Sequence, residues 1–508
     1  MDLKSENARL RNENMELNRQ LHEALRMALV SGEQVQVLAE RLQVLAERLQ
    51  EADERIKELS ERIRELEAQL AQDSHNSHWP SSRDKGRRQT QSLRKRSGKK
   101  AGGQAGHPGQ TLKMVLDADQ VVEHRPIRCA GCDRELAELA TEPGEQERRQ
   151  VFDLPPLQIE VTEHRAATVV CPGCGKRNVG AFPSTVSQSA QYGPQIKGLC
   201  VYLHQQHLLP MARLSEVVNE LFNCSVSPGS IVNWLETASQ TVTPTVETIK
   251  NALLKADVVH FDETGLYAEG KRKWLHVAAT SRLTYYYPHP QRGSKGIDEM
   301  GILPDFDGTA IHDNWAPYAK YLCQHALCNA HHLRELTFIQ EQFQQEWAGQ
   351  MIGLLLDIKA EVEQARQQGL ATLDASRRQA IDQDYQAIID QALAANPEPP
   401  NGWPSGKRGR PKKPKPRNLA DRLDQLRHLV LAFADDFRIP FDNNLVERDI
   451  RMVKVQQKIS GCFRSWDGAL FACTLRSYLS TLRKQGQNPL LALSNLFAGQ
   501  ILAPSMSG

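Results

Sequence analysis

Asp442-Asn443-Asn444-Leu445-Val446-Glu447-Arg448-Asp449-Ile450-Arg451 reads as the start of a helix that carries one carboxylate to a fixed place. Asp442 suits the N-cap, and Val446, Ile450 and Val453 recur at i, i+4 and i+7 as a core-facing stripe. Glu447 sits beside that stripe in the first turn, where the helix dipole favours a negative charge. Arg451 and Lys454 follow one and two turns on along the same side. By itself the segment is also compatible with a capped amphipathic helix whose Glu447 pairs only with Arg451.

Two aspartates upstream give it company. Asp257-Val258-Val259-His260-Phe261-Asp262-Glu263-Thr264 reads as a strand buried on both faces and ending in acids, with further strands at Lys273 to Thr280 and Leu283 to Tyr287. Thr309-Ala310-Ile311-His312-Asp313 is a fourth strand that again ends in an acid. Neighbouring strand ends in one sheet would let Asp262 and Asp313 share a metal, whereas strand alternation turns Glu263 to the other face. Asp305 and Asp307 are the nearby alternatives for the second acid. Carboxylates drawn from distant parts of a chain are what a two-metal phosphoryl-transfer site requires.

Between Asp313 and Glu447 lie 133 residues, more than one strand and a crossover need. From about Glu341 to Ala394 the pattern is helical, with Leu354, Leu355, Ile358, Val362 and Ala365 on one face, so a helical insertion is expected. It ends in a basic loop, Asn396 to Arg417, whose Arg408-Gly409-Arg410-Pro411 is similar to the core of an AT-hook; a merely basic, solvated loop accounts for it equally. After Glu447 come an amphipathic helix over Leu470 to Leu482 and a short one begun by Asn488-Pro489-Leu490.

The length of 508 residues allows several domains. No run of about 18 apolar residues appears, and Met1-Asp2-Leu3-Lys4 is no signal-peptide start, so a cytoplasmic protein with no membrane partner is expected. The net charge of +2 hides an asymmetry: residues 83 to 100 hold nine Lys or Arg against Asp84 alone, and residues 407 to 417 hold seven with no acid. Positive charge so concentrated on an otherwise acidic chain points to nucleic acid. Arg87, Arg88, Arg94, Lys95 and Arg96 are candidate backbone contacts on a flexible linker, and Arg408, Arg410, Arg448 and Arg451 are further candidates.

Leu3, Leu10 and Leu17, with Asn7, Asn14 and Leu21 between them, open a heptad pattern that runs on through Leu38, Leu45, Leu49, Ile56, Leu59, Ile63, Leu66 and Leu70. A weak patch falls at Ala24, Ala28 and Ser31. One unbroken register predicts a rod of about 100 Å at 1.5 Å per residue. Asparagine in the seam favours a parallel homodimer, and a higher oligomer is open.

Cys129-Ala-Gly-Cys132 and Cys171-Pro-Gly-Cys174 are paired knuckles separated by 38 residues. Two such turns can direct four sulfurs at one tetrahedral ion, so Cys129, Cys132, Cys171 and Cys174 are expected to hold one structural Zn²⁺. Strands over Gln158 to Val161 and Ala167 to Val170 make a zinc ribbon the expected form. From Pro194 to about Val246 the pattern is helical, and Ser227-Pro228 begins a second helix cleanly after Met211 to Phe222, as in a helix-turn-helix; plain helical packing is the alternative, since that second helix opens without Arg or Lys. Cys328-Asn329-Ala330-His331 offers only one thiol, so a buried role beside the sheet is expected of it.

Asp-Glu-Thr at 262 to 264, Asp-x-Trp-x-x-Tyr at 313 to 318, Cys-x-x-His at 328 to 331 and Asn-Asn-x-x-Glu-Arg at 443 to 448 together resemble the DDE transposases of the insertion sequence 66 (IS66) family over nearly the whole chain. One departure is His312-Asp313-Asn314-Trp315, where many members carry a Thr-Asp-Gly-Tyr type of sequence. The resemblance implies a multidomain α/β protein with a coiled-coil region (1–72), a basic linker (73–110), a zinc-binding domain (111–185) and a helical, helix-turn-helix-like module (190–256). An RNase H-like core would follow in two parts (257–340 and 441–500) around an insertion (341–440). It implies Asp262, Asp313 and Glu447 as catalytic ligands of Mg²⁺ or Mn²⁺, DNA ends and target DNA as partners, accessory proteins of the same element, and work at the bacterial nucleoid. A zinc-containing dimeric regulator without catalysis is the rival: it accounts for residues 1 to 240 but gives the strand-end acids no purpose. A nuclease that cuts without joining is the third reading. The knuckles predict zinc near one per chain, lost when Cys129 or Cys174 is changed to Ser, as elemental analysis would show.

Overall fold

A computed structural model describes residues 3–27, 32–72, 76, 112–136, 147–155, 157–399, 402–403 and 413–506. The candidate DNA contacts Arg87, Arg88, Arg94, Lys95, Arg96, Arg408 and Arg410 lie outside the described residues. The chain divides into two units: residues 1–91, 190–211 and 229–508 form the larger, and residues 92–189 with 212–228 the smaller.

In the larger unit the heptad region gives two helices, α1 (Leu3–Met27) and α2 (Gly32–Leu70), rather than one rod. They pack side by side in opposite directions, because Lys4 pairs with Glu67 at 2.8 Å and Asn14 donates to Asp53 at 2.7 Å. The seam residue Asn7 is buried and donates to Ser60 at 3.3 Å. The seam of α1 is therefore filled within one chain, and its asparagines find partners there.

The smaller unit holds a hairpin of β1 (Thr168–Val170) and β2 (Arg177–Val179), joined across the second knuckle. Residues 158–161, expected as a strand, form none. The partner of β1 comes instead from just beyond Cys174, where Gly175 at φ 72° closes the turn. Helix α4 (Met211–Phe222) falls mostly in this unit, whereas α3 (Pro194–His207) and α5 (Pro228–Leu253) belong to the larger one. At 26 residues α5 is far longer than a helix-turn-helix member requires, and it buries Ile231, Leu235, Ala238, Val242, Ile249 and Leu253 along one face.

The larger unit is built on a five-stranded sheet of β3 (Val258–Ala268), β4 (Lys271–Ala279), β5 (Thr284–His289), β6 (Thr309–His312) and β7 (Gln324–Leu327), in the order β5-β4-β3-β6-β7. β3, β4 and β5 are an antiparallel meander, while β6 and β7 run parallel to β3. The strand bearing Asp262 does not end at its acids. It continues to Ala268 and turns through Glu269 (φ 54°) and Gly270 (φ 70°) into β4.

Two apolar groups flank the sheet. On one, α13 (Asn444–Ser460) and α14 (Trp466–Lys484) set Val446, Ile450, Val453, Ala469 and Cys473 against Leu266, Leu275, Val277 and Tyr286. On the other, Ile311, Ala326 and Leu327 meet α7 (Asn329–Phe343) and the insertion helices α8 (Glu346–Gln367), α9 (Ala375–Ala395), α10 (Lys415–Gln425), α11 (Arg427–Val430) and α12 (Ala432–Asp435). The edge strand β5 is sealed by hydroxyls of α14: Thr284 and Tyr286 donate their backbone N–H groups to Thr481 (3.0 Å) and Ser477 (2.9 Å). The last helix, α15 (Pro489–Phe497), lies on α3 so closely that a Cβ on Gly198 would stand 2.7 Å from the backbone nitrogen of Ser494. Gly198→Ala is therefore expected to cost about 1–3 kcal/mol of stability, read as a lowered denaturation midpoint in urea.

Candidate active site

Helix α13 begins at Asn444, and its N-cap is Asn443 rather than the expected Asp442, whose Oδ1, one residue earlier, accepts the backbone N–H of Asn444 at 3.1 Å. The next residue does more. The Asn443 side chain donates to the carbonyl of Phe261 at 2.9 Å and shares a 2.7 Å hydrogen bond with His260 Nδ1, while its own backbone N–H points at Cys328 Sγ, 3.1 Å away. Burial holds the His260 pKa below its ordinary value, so a neutral ring donating to Asn443 Oδ1 satisfies the pair. One buried amide thus joins β3 beside Asp262, the start of α7 and the start of α13, and thereby sets Glu447 relative to Asp262. Val446, Ile450 and Val453 are buried beside Glu447 as the stripe predicts.

Asp262, Asp313 and Glu447 come within electrostatic reach of one another. Burial raises the Asp262 carboxyl well above the usual range, and the charges of Glu263, Asp313 and Glu447 raise it further. Burial also raises Glu447; Arg334 and Arg451 oppose this, and Asp442 and Asp313 add to it. The charge of Asp313 thus reaches both other acids, and its Oδ1 accepts the backbone N–H of Trp315 at 3.1 Å. Asp305 and Asp307 are exposed in the turn before β6.

Glu447 does not make the simple pair with Arg451 that a solitary helix would offer. Arg334 Nη2 lies 3.9 Å from Oε2 and His331 Nε2 lies 4.0 Å from Oε1, and Oε1 is buried with no hydrogen-bond partner. A buried carboxylate oxygen without a donor, among acids that raise one another, fits a divalent cation held by oxygen ligands. Glu263, on the other face, is already engaged: its side chain is 1% exposed, accepts from Tyr318 at 2.6 Å and takes Arg292 at 2.6 and 3.0 Å. Arg292 in turn stacks between Trp274 and Trp315, with centroid distances of 5.0 and 4.2 Å.

Cationic groups rim the acids. Arg448 and Arg451 are exposed on α13, and Lys454 donates to the Gly265 carbonyl at 2.7 Å. Sequence reasoning did not anticipate Arg334, Arg292 or the Asn443 clamp. Asn443 and Tyr318 belong to the motifs quoted above, but nothing in their spacing tells which atoms they would bind.

In the smaller unit each knuckle is formed. Cys129 N–H donates to Arg134 and Asp133 N–H to Cys129, with 2.9 Å for both, and the second knuckle repeats this between Cys171, Lys176 and Gly175. Backbone N–H groups of Gly131 and Cys132, then of Gly173 and Cys174, reach the first sulfur of each knuckle and lower its pKa, as thiolate ligands of zinc require. Among the described residues, the ligand atoms that approach within 4.8 Å as a group of three are those of Cys328, His331 and Glu447; neither the two knuckles nor Asp262, Asp313 and Glu447 are drawn into one such group.

Two family models bear on the chain's kinship. The family model described as Transposase IS66 family matches residues 189–470, and that of the zinc-finger binding domain of transposase IS66 matches residues 126–175. A family of unknown function matches residues 2–113. No curated protein matches the chain. The catalytic-family match spans more than half of the sequence, and the chain belongs to the IS66 family of transposases. Its zinc-finger domain supports a structural zinc, DNA binding follows from the family, and no described helix is long and apolar enough to cross a membrane.

Removing the clamp tests its role. Asn443→Ala leaves the Phe261 carbonyl and His260 without their partner and is expected to lower stability by about 2–3 kcal/mol in urea unfolding.

Proposed function

We propose that the protein is a DDE transposase that cuts DNA at element ends and joins them to target DNA, with Asp262, Asp313 and Glu447 as the metal-binding acids. The observation that carries this reading is the mutual charge coupling of those three carboxylates, drawn from β3, the end of β6 and the first turn of α13. The strand order β5-β4-β3-β6-β7, with one antiparallel meander and two parallel strands, is compatible with the proposed RNase H-like core and supports the same reading.

When bound, a pair of Mg²⁺ or Mn²⁺ ions would lower the pKa of an attacking water, orient a DNA 3′-hydroxyl and steady the departing oxygen. The chain's part is positioning. Asn443 fixes the angle of α13 so that Glu447 faces Asp262, and Arg334 offsets part of the negative charge while the site is being filled. Glu263, held by Arg292 and Tyr318, keeps β3 and the segment after Asp313 in register from the other side of the sheet. Arg451, exposed with its charge reaching Glu447, and Arg448, exposed on the same helix, would meet phosphates, with the linker and insertion-loop cations as further contacts.

Two DNA ends must be held together for such work, and a second copy of the chain supplies the second site. Accessory proteins of the element and work at the nucleoid complete the proposal. The regulator without catalysis leaves the charge coupling of the acids unexplained.

The test is Mg²⁺-dependent cleavage and joining of end-bearing DNA in vitro. Asp262→Ala and Glu447→Ala are each expected to reduce both steps by about a thousandfold or more, since several kcal/mol of charge stabilisation is removed, while DNA binding persists. Binding without cleavage by the unaltered protein would select the regulator. Cleavage without joining would select the nuclease.

A further inference from the structure

Cys328 follows β7 directly and is 1% exposed. His331 lies one turn into α7, and Glu447 stands one turn into α13. From these three residues a thiol sulfur, an imidazole nitrogen and a carboxylate oxygen lie within 4.8 Å of one another. The sequence offers one thiol and one imidazole locally; the donor that completes the group comes from 119 residues farther on.

A core thiol beside an ordinary His331–Glu447 pair is the plainer account. Two observations weigh against it. At 4.0 Å the contact is too long for a hydrogen bond, and Glu447 Oε1 remains buried with no hydrogen-bond partner. Cys328 Sγ also receives backbone N–H groups from Asn443 and His331; burial, then the charges of Glu447 and Asp442, still push its thiol up to about 12, unlike the lowered knuckle thiol of Cys129. The charge of the Asp442 carboxylate reaches both Cys328 and Glu447 and adds to the negative potential at this point.

Sulfur and imidazole donors suit Zn²⁺ and its neighbours in the transition series, whereas Mg²⁺ takes oxygen. We propose that Cys328, His331 and Glu447 form a metal position for zinc or a cation of its class, separate from the knuckles, and that filling it withdraws Glu447 from Asp262 and Asp313. The second half rests on the proposed role of those carboxylates in holding a hard divalent ion. On binding, a sulfur–metal bond forms, the thiol proton passes to solvent, and water takes the fourth position.

The test uses the full chain, saturated with zinc and then dialysed. About two zinc ions per chain are expected, against the one that the knuckles alone require, and about one in Cys328→Ser and in His331→Gln. His331 is only partly buried, so its variant keeps the result readable if the Cys328 variant fails to fold. With Co²⁺ in place of zinc, the near-ultraviolet sulfur-to-metal band should lose part of its intensity in Cys328→Ser. Manganese counted by electron paramagnetic resonance in the Mg²⁺ position should be displaced about tenfold by zinc in the unaltered chain and little in His331→Gln.

One zinc per chain, or two that both variants retain, overturns the site. Two zinc ions with manganese undisturbed overturns the competition for Glu447. No manganese bound at all, with the second zinc still lost in both variants, leaves the site standing and refutes the role assigned to Asp262 and Asp313.

Discussion

The amide of Asn443 is the constraint on which the larger unit depends. It is buried, and the Phe261 carbonyl and His260 ring it serves are also buried. Each of these groups is costly to leave unpaired, so the low dielectric that makes the network expensive to break also makes its geometry unique. Through it, a strand, a helix start after β7 and a helix 182 residues beyond the strand meet at one point. The Lys484–Asp449 pair at 2.8 Å, with Lys484 also donating to the carbonyls of Thr280 and Leu283, secures the far side of the same helix.

The sheet explains why a carboxylate cluster tolerates burial. Asp262 and Glu263 leave β3 on opposite faces, and only one of those faces receives counter-charge from Arg292. Glu263 is neutralised in place and becomes structural. Asp262 has no equivalent partner, and burial and the neighbouring acids raise its carboxyl. Adjacent acids on one strand thereby acquire different chemistry from the pleat alone.

Much of this was legible. The stripe of Val446, Ile450 and Val453 located α13, the apolar runs located β3 and β6, and the spacing of the cysteines located both knuckles. The strand beyond Asp262 was not. Gly265 reads as a breaker, yet it pairs with Trp274 within the β3–β4 ladder, where a Cβ would lie 3.3 Å from the Arg272 side chain. β7 is too short and too polar at its start for alternation to reveal it. The heptads gave helices but not their partner, since a seam filled within one chain and a seam filled by a second chain look alike in sequence. The knuckle hairpin pairs across the second Cys-x-x-Cys turn, a local choice that propensity over Gln158 to Val161 could not show.

The placement of α13 bears on how the protein is made. Two of the three acids emerge early in synthesis of the larger unit, and the third follows only after the whole helical insertion has left the ribosome. A nascent chain, or one cut short by premature termination within the insertion, carries Asp262 and Asp313 without Glu447 or its clamp. Translation order is thus a built-in safeguard: the three acids cannot come together until the helical insertion between Asp313 and Glu447 has been made.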